Sequence, residues 1–178
     1  RTLFELAQPH RHPNIVRVMR YIQANGTGYM VMDYEQGEPL SEKLRDPHPT
    51  LPEKEIKAIL LPLLDGLETV HAAAVTHRDI KPDNLMLTSS GEVRLADLGI
   101  AKRVVDGKAD QAEGVFGSPH YMAPEIAQGA RDIDYRVDIY SAGVILYEAL
   151  TGKRPFKGNS YNEVMFNIVS AQFPRPRC

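Results

Sequence analysis

The chain has 178 residues, of which 43% are hydrophobic and 25% charged, and its formal net charge at pH 7 is −2. That length suffices for one sizeable core, and the near-neutral charge gives no global basic field, so we expect no nucleic acid as a partner. No apolar run approaches the ~20 residues that cross a bilayer, so we expect no membrane contact by this segment. The single cysteine, Cys178, excludes an internal disulfide framework and favours a reducing, cytoplasmic setting.

The first part of the chain predicts the end of a helix followed by a β-hairpin. Residues 1–8 contain three large apolar side chains, and Pro9 would end a helix there. Two β-like runs, 15–22 and 28–34, flank residues 23–28, which are rich in turn formers. The polar stretch that follows the hairpin is predicted to be a loop.

A long helix is predicted next. Thr50 and Glu53 have the spacing of a capping box, and apolar residues then recur with a period of about 3.6 as far as Val70. Pro62 lies inside this pattern and lacks an amide hydrogen, so we expect a kink there.

A second hairpin and a long loop are predicted after this helix. Residues 85–87 and 93–96 are short strand candidates, and residues 89–92 between them favour a tight turn. From 97 to 124 no hydrophobic period is sustained, which predicts an ordered loop or lid.

The C-terminal part predicts two helices. Residues 137–150 are apolar nearly all round, which is typical of a helix buried in the middle of a domain. Gly152 is placed to end this helix. Residues 161–171 form a weaker helical pattern.

Three short motifs follow one another between the predicted elements: H-R-D-I-K-P-D-N at 77–84, D-L-G at 97–99 and A-P-E at 123–125. With these motifs the chain resembles the protein kinase superfamily, and closely its Ser/Thr branch. The resemblance implies an α+β, kinase-like fold. Residues 1–34 would then be a partial N-terminal lobe, and 35–178 the hinge and an incomplete, mainly helical C-terminal lobe.

The resemblance also implies roles in phosphoryl transfer from ATP, a reaction that needs mainly positioning and charge neutralisation. Asp79 would accept the proton of a substrate Ser or Thr hydroxyl, and Lys81 would steady the transferring group. Asn84 and Asp97 would bind Mg²⁺, with Mn²⁺ as an alternative cation. Ser118 resembles the hydroxyl residue that positions Asp79 and Lys81. The alternative for each residue is a structural role in a turn, at a strand end or on the solvated surface.

Adenine recognition is implied for the connector after the first hairpin. Met32 would be the gatekeeper, Asp33, Tyr34 and Glu35 the hinge, and Met86 the floor beneath the base. For the two methionines, ordinary core packing is the alternative.

The remaining motif residues receive structural or regulatory roles, and they are His77, Arg78, Leu98, Gly99, Lys102, Asp110, Glu113, Glu125 and Asp138. His77 and Leu98 would stack in an apolar column with Val18. Asp138 would anchor the backbone of the catalytic loop, cap its own helix, or do both. Glu125 is expected to carry a buried charge that lacks its usual arginine partner.

The segment after Asp97 has no phosphorylatable side chain, because residues 97–117 contain no Ser, Thr or Tyr. Arg78, the residue that binds a loop phosphate in the family, is nevertheless present, and Lys102 is placed to assist it. One hypothesis is that Asp110 or Glu113 holds Arg78 in place of a phosphate. The alternative is a solvated acidic loop.

The chain also departs from the family pattern. It starts at Arg1 without methionine, contains no G-x-G-x-x-G and lacks the strand lysine, while Glu5 is a weak candidate for that lysine's glutamate partner. We therefore expect a truncated catalytic domain that by itself transfers phosphate poorly.

Two other functions compete with a protein kinase: a pseudokinase-like binding module and a small-molecule phosphotransferase of kinase-like fold. The amino-acid sequence at 138–141 and 150–156 resembles that of bacterial members of the family. In these the kinase domain is cytoplasmic and often tethered by a later membrane helix.

Overall fold

The computed structural model describes residues 12–45, 50–97, 119–130, 132–170 and 173–176. Within these ranges the chain has an α+β architecture: two antiparallel sheets, of two and three strands, and a set of helices that supplies most of the core. The expected fold class is confirmed. The division into lobes at residues 34 and 35 stays a prediction.

The first sheet is the predicted hairpin, with β1 (Val18–Ala24) paired to β2 (Thr27–Met32). Asn25 and Gly26 connect the strands, and both have positive φ, 53° and 70°. A two-residue turn of this kind matches the twist of the flanking strands. β1 begins at Val18, three residues after the start of the predicted run of 15–22. Ile15 instead forms a bridge to Leu95 in the second sheet.

The second sheet contains β3 (Gly37–Pro39), β4 (Leu85–Thr88) and β5 (Val93–Leu95), in that spatial order. The hairpin of β4 and β5 is confirmed, with its turn closed by a hydrogen bond from the Thr88 amide to the Glu92 carbonyl (2.9 Å).

The prediction of a plain loop after the first hairpin is wrong. It contains β3 and a short helix, α1 (Leu40–Lys43). β3 pairs with β4, which is far away in sequence, so no local periodicity announces it. Glycine is required at position 37, because a Cβ there would lie 2.1 Å from the carbonyl oxygen of Leu87.

The long helix, α2, spans Glu53–Ala72 and continues through Pro62, where a kink was expected. The predicted capping box is wrong. The N-cap is Pro52, in an extended conformation, and no side chain caps this helix end. The carbonyl of Pro52 accepts the first hydrogen bonds instead, from Glu55 (2.9 Å) and Ile56 (3.0 Å).

Two further helices follow: α3 (Pro124–Ala127) and α4 (Arg136–Thr151). Gly152 ends α4 in the left-handed conformation, as predicted. The expectation that α4 is buried all round is wrong, since Ile139 is 46% exposed and Leu146 36%. Packing against α2 on one side needs one apolar face, and the apolar residues on the other face stay in solvent.

The main core lies between α2, α4 and the second sheet. Its fully buried members include Leu63, Leu67, Leu85, Leu95 and Ile145. The last helix, α5 (Tyr161–Ser170), packs into a second small cluster with Phe156, and its predicted end at residue 171 lies outside the described residues. No helix within the described ranges is both long and apolar enough to cross a membrane.

Candidate active site

Residues 77–84 form the loop between α2 and β4, and a buried carboxylate fixes its first residues. Asp138, in the first turn of α4, is 0% exposed. Its Oδ2 accepts a hydrogen bond from the amide of His77 (2.9 Å), and its Oδ1 one from the amide of Arg78 (2.8 Å). The capping interpretation of Asp138 is wrong, because Tyr135 is the N-cap and the carboxylate points to the loop.

The same carboxylate has a third partner. Nε2 of His71, in the last turn of α2, lies 2.8 Å from Oδ2 of Asp138. The sequence analysis did not identify His71 as a site residue. The only available indication was that it lies close to the catalytic loop in the sequence, six residues before His77. Two helices therefore position the loop backbone, which allows Arg78 a positive φ of 66°.

The side chains of Lys81 and Asn84 both contact the side chain of Asp79. Its Oδ2 accepts hydrogen bonds from Nζ of Lys81 (2.8 Å) and from Nδ2 of Asn84 (3.1 Å). The same Asn84 amide donates to the Asp79 carbonyl (2.7 Å), and Asn84 itself is buried. The side chain of Asp79 is 37% exposed, so it is oriented by its neighbours while remaining accessible to a substrate.

Asp97 follows directly after a residue that is hydrogen-bonded to this loop. The amide of Ala96 donates to the carbonyl of Asn84 (2.8 Å), which places the end of the β5 segment against the loop. Asp97 is exposed and has a positive φ of 50°, a conformation that non-glycine residues seldom adopt. Such outliers persist where the surrounding structure holds them, which is common in functional sites.

Asn84 and Asp97 offer an amide and a carboxylate, the hard oxygen donors that Mg²⁺ prefers. Over the described residues, no group of three or more His, Cys, Asp and Glu could hold a metal ion. Mg²⁺ commonly needs one or two protein ligands and completes its shell with phosphate and water. The donor set therefore suits a cation bound together with a nucleotide.

His77 packs beneath the loop and is buried, with 1% of its surface exposed. Burial is the main reason that its pKa is lowered, so the ring is neutral at pH 7. Its Nε2 lies 3.1 Å from the Ala96 carbonyl, and its Nδ1 lies 3.3 Å from the Asp79 amide. A neutral ring that donates from Nε2 and accepts at Nδ1 satisfies both contacts and links the loop to the Asp97 segment.

The connector residues lie between the two sheets. The amide of Asp33 donates to the Arg17 carbonyl (3.0 Å), while the side chain of Tyr34 is 92% exposed. Met32 is 38% exposed, so the core-packing alternative is wrong for this residue. Glu35 has a partner that the sequence did not reveal: its Oε1 lies 2.7 Å from Nη1 of Arg94 in β5.

Met86 lies on β4, half-buried and paired in register with Arg94. The Glu35–Arg94 ion pair therefore ties the connector to the sheet that carries Met86. An adenine floor at Met86 remains a prediction.

A comparison with known proteins identifies the family of the chain. The family model described as "Protein kinase domain" matches residues 4–175, nearly the whole chain. The chain belongs to the protein kinase domain family.

Several curated relatives are similar to this kinase domain. It is 34% identical over 168 residues, 93% of the chain, to "Probable serine/threonine-protein kinase MARK-C" of Dictyostelium discoideum. It is 39% identical over 171 residues, also 93% of the chain, to "Probable serine/threonine-protein kinase SCO3848" of Streptomyces coelicolor. Identity to "Serine/threonine-protein kinase PknL" of Mycobacterium tuberculosis is 35% over 147 residues, 83% of the chain. The matched segments span 21%, 25% and 36% of these relatives, respectively.

Two hydrogen bonds that the sequence did not reveal join residues 119–121 of the kinase domain to α4. The Tyr121 hydroxyl donates to Oε2 of Glu148 in α4 (2.6 Å), and the Ser141 hydroxyl donates to the Tyr121 carbonyl (2.7 Å). Burial and the Glu148 carboxylate both raise the pKa of Tyr121. These bonds fasten residues 119–121 to α4.

Several predicted residues of the kinase domain lie outside the described residues: Leu98, Gly99, Lys102, Asp110, Glu113, Ser118 and the N-terminal Glu5. The proposed pairing of Arg78 with an acidic loop residue therefore stays a hypothesis, and so does the apolar column through Leu98. Glu125 is described. It is half-buried rather than buried, in the first turn of α3, and forms no ion pair with another described residue.

We expect the kinase domain to lose stability as the pH falls from about 6.5 to about 4, partly through His120. Burial, assisted by the nearby Arg154 guanidinium, lowers the pKa of His120 to about 4 from the usual 6.5. Between these values the unfolded chain binds more protons than the folded one, so acidification favours unfolding. Thermal unfolding followed by circular dichroism at several pH values measures the effect.

The variant His120→Gln should flatten this part of the profile and leave the profile above pH 7 unchanged in shape, because histidine is neutral there in both states. His77 contributes in the same direction, so some slope will remain. An identical slope in the variant and the parent would contradict the assignment.

Proposed function

We propose that this kinase domain transfers the γ-phosphoryl group of ATP to serine and threonine hydroxyls of protein substrates, in the presence of Mg²⁺. The observation that carries the proposal is the arrangement at Asp79. A partly exposed carboxylate accepts hydrogen bonds from Lys81 and Asn84, and the loop that bears it is anchored by buried Asp138. An oriented, accessible carboxylate suits proton acceptance from an incoming alcohol.

Lys81 has two tasks in this proposal. Its ammonium group, 2.8 Å from Oδ2 of Asp79, orients that carboxylate for the acceptor hydroxyl. It also supplies positive charge beside the position of the transferring group, which bears several negative oxygens. Both tasks fit a side chain that is only 19% exposed.

Asn84 and Asp97 would hold Mg²⁺, and Mn²⁺ could replace it. When bound, the ion would supply positive charge that offsets the negative charge of the nucleotide phosphates. The residues of the chain contribute rigidity to this arrangement. The Asn84 carbonyl is tied to Ala96, and His77 is hydrogen-bonded to both the loop and the Asp97 segment.

The adenine would bind along the connector of residues 33–35, as in the family. The exposed Met32 at the end of β2 and the half-buried Met86 on β4 are apolar groups suited to contact a base. Because the 178 residues contain no G-x-G-x-x-G, we expect this chain by itself to hold the phosphates weakly and to transfer slowly.

Lys81 favours a protein Ser/Thr acceptor, and each of the three relatives described above is named a serine/threonine-protein kinase. A role in bacterial signalling and a cytoplasmic setting remain part of the proposal. The cytoplasmic setting rests on the single cysteine.

The test is metal-dependent phosphate transfer by the full-length protein that contains this chain. We expect incorporation of the labelled γ-phosphate of ATP into Ser- and Thr-containing peptides with Mg²⁺, and background levels after chelation with EDTA. Asp97→Asn should lower transfer at least tenfold, because it replaces a charged metal ligand with a neutral, weaker one. Asp132→Asn, in the loop before α4, is the matched control and should retain activity.

The competing functions predict different results in the same assay. Nucleotide binding without transfer by the full-length protein would identify a binding module and contradict the proposal. Transfer to a small alcohol in preference to every peptide would identify a small-molecule phosphotransferase.

A further inference from the structure

A cavity of about 320 Å³ lies beside the catalytic loop, between the 3₁₀ turn Pro82–Asn84 and the segment that follows α4. It has room for the side chain of a bound peptide. Charged residues dominate its lining, and those used below are Arg45, Asp83, Glu148, Lys153, Arg154 and Lys157.

The unengaged positive charges of the cavity outnumber its unengaged negative ones. Lys153 and Lys157 are exposed, and neither has an ion-pair partner among the residues that the structure describes. Arg154 faces Glu148, but at a long distance of 3.9 Å from Nε to Oε1. Arg45 pairs with Glu42.

The two carboxylates of the lining differ. The Glu148 side chain is 8% exposed and accepts the Tyr121 hydroxyl at 2.6 Å, so it is already engaged. Asp83 is exposed and forms no ion pair within the described ranges. One free carboxylate therefore faces two free ammonium groups and one weakly paired guanidinium. A bound cation would meet repulsion, and a bound anion would be attracted.

The cavity adjoins the acceptor end of the site. Pro82 lines it and lies three residues after Asp79, a separation of at most about 10 Å between Cα atoms. An extended peptide advances about 3.3 Å per residue. A side chain in the cavity would therefore belong to a residue within about three positions of the accepting hydroxyl.

We propose that this cavity is a subsite for an anionic side chain of the protein substrate, close in sequence to the accepting serine or threonine. Aspartate, glutamate and a phosphorylated residue share the required chemistry. The inference rests on the proposed function, and it adds the class of sequence that the enzyme prefers.

The experiment compares peptides with one accepting serine in an alanine background. At each of the three positions on either side, the peptides carry alanine, aspartate, phosphoserine or arginine. The full-length protein is assayed for kcat and KM, and peptide binding is measured separately by fluorescence anisotropy with a non-hydrolysable ATP analogue. Binding is repeated at about 50 mM and about 500 mM NaCl, because salt screens exposed charges.

We expect an acid at one or two positions to lower KM about fivefold, with kcat little changed, since the contacts involve exposed charges. Phosphoserine should exceed aspartate because it carries nearly two charges. Arginine there should weaken binding. The preference should shrink at high salt.

The double variant Lys153→Ala/Lys157→Ala should abolish the preference and leave turnover of the all-alanine peptide unchanged. Lys54→Ala/Lys57→Ala on α2, outside the cavity, removes the same charge and should keep the preference. An acid preference that survives the first variant, or no acid preference at any position, would overturn the inference.

The two proposals fail in distinguishable ways. Transfer to the all-alanine peptide without any charge preference would reject the subsite and retain the kinase activity. Charge-dependent binding that disappears in Lys153→Ala/Lys157→Ala would support the subsite even if no peptide is phosphorylated, and that same lack of transfer would reject the proposed activity.

Discussion

Asp79→Asn is expected to lower phosphoryl transfer by the full-length protein about 10²- to 10⁴-fold, the usual contribution of a positioned general base. The substitution is nearly isosteric. An asparagine oxygen can still accept from Lys81 and Asn84, which now bond Oδ2 of Asp79. The group that would take the substrate proton is lost, together with its negative charge. The loss should therefore lie in kcat.

Two measurements separate chemistry from folding for this variant. The unfolding temperature and the affinity for an ATP analogue should stay close to those of the parent protein. Asp83→Asn is the matched control: it is an exposed carboxylate in the same loop, four residues on, without a hydrogen bond to Asp79. It should retain turnover of a neutral peptide. Asp79→Asn with parental kcat would reject Asp79 as the base.

Asp138→Ala is expected to have the largest effect on stability, about 3–5 kcal/mol. The carboxylate is 0% exposed and accepts three hydrogen bonds, from the amides of His77 and Arg78 and from His71. Without it, two backbone N–H groups of the catalytic loop lose their acceptors, and water has little access to replace it. The positive φ of Arg78 also loses its support.

Thermal unfolding should report this loss as a fall in Tm of roughly 10 °C for a domain of this size. Asp138→Asn should fall between the parent and the alanine variant, because its amide oxygen replaces one acceptor and its NH₂ group faces a donor. Asp134→Ala, whose side chain is 47% exposed, is the control and should shift Tm by a small fraction of that amount. Equal shifts for Asp134→Ala and Asp138→Ala would contradict the anchoring role.

Local signals were sufficient where short-range chemistry controls the backbone. Asn25 and Gly26 adopt the positive φ values that a two-residue hairpin needs, and Gly152 ends α4 in the left-handed region. The periodicity after Glu53 identified α2, and the motif order identified the family. In each case the controlling residues lie within a few positions of one another, so the sequence shows the cause directly.

Non-local pairing was beyond the sequence. β3 exists because it pairs with β4, almost fifty residues away, and Gly37 is required there by the approach of the Leu87 carbonyl. His71 and Asp138, which contact each other, are 67 residues apart in the chain, and Glu35 and Arg94 are 59 residues apart. Neither partner has a periodicity that reveals the other.

The sequence by itself determined the family, the candidate chemistry of Asp79, Asn84 and Asp97, and most helices and hairpins. The tertiary structure decided how these residues are oriented and which charges remain free. The chemical identity of each side chain is known from the sequence, whereas its burial and ion pairing depend on which residues the fold places next to it. Asp138 could have capped its own helix, but burial and the nearby loop amides made it an anchor.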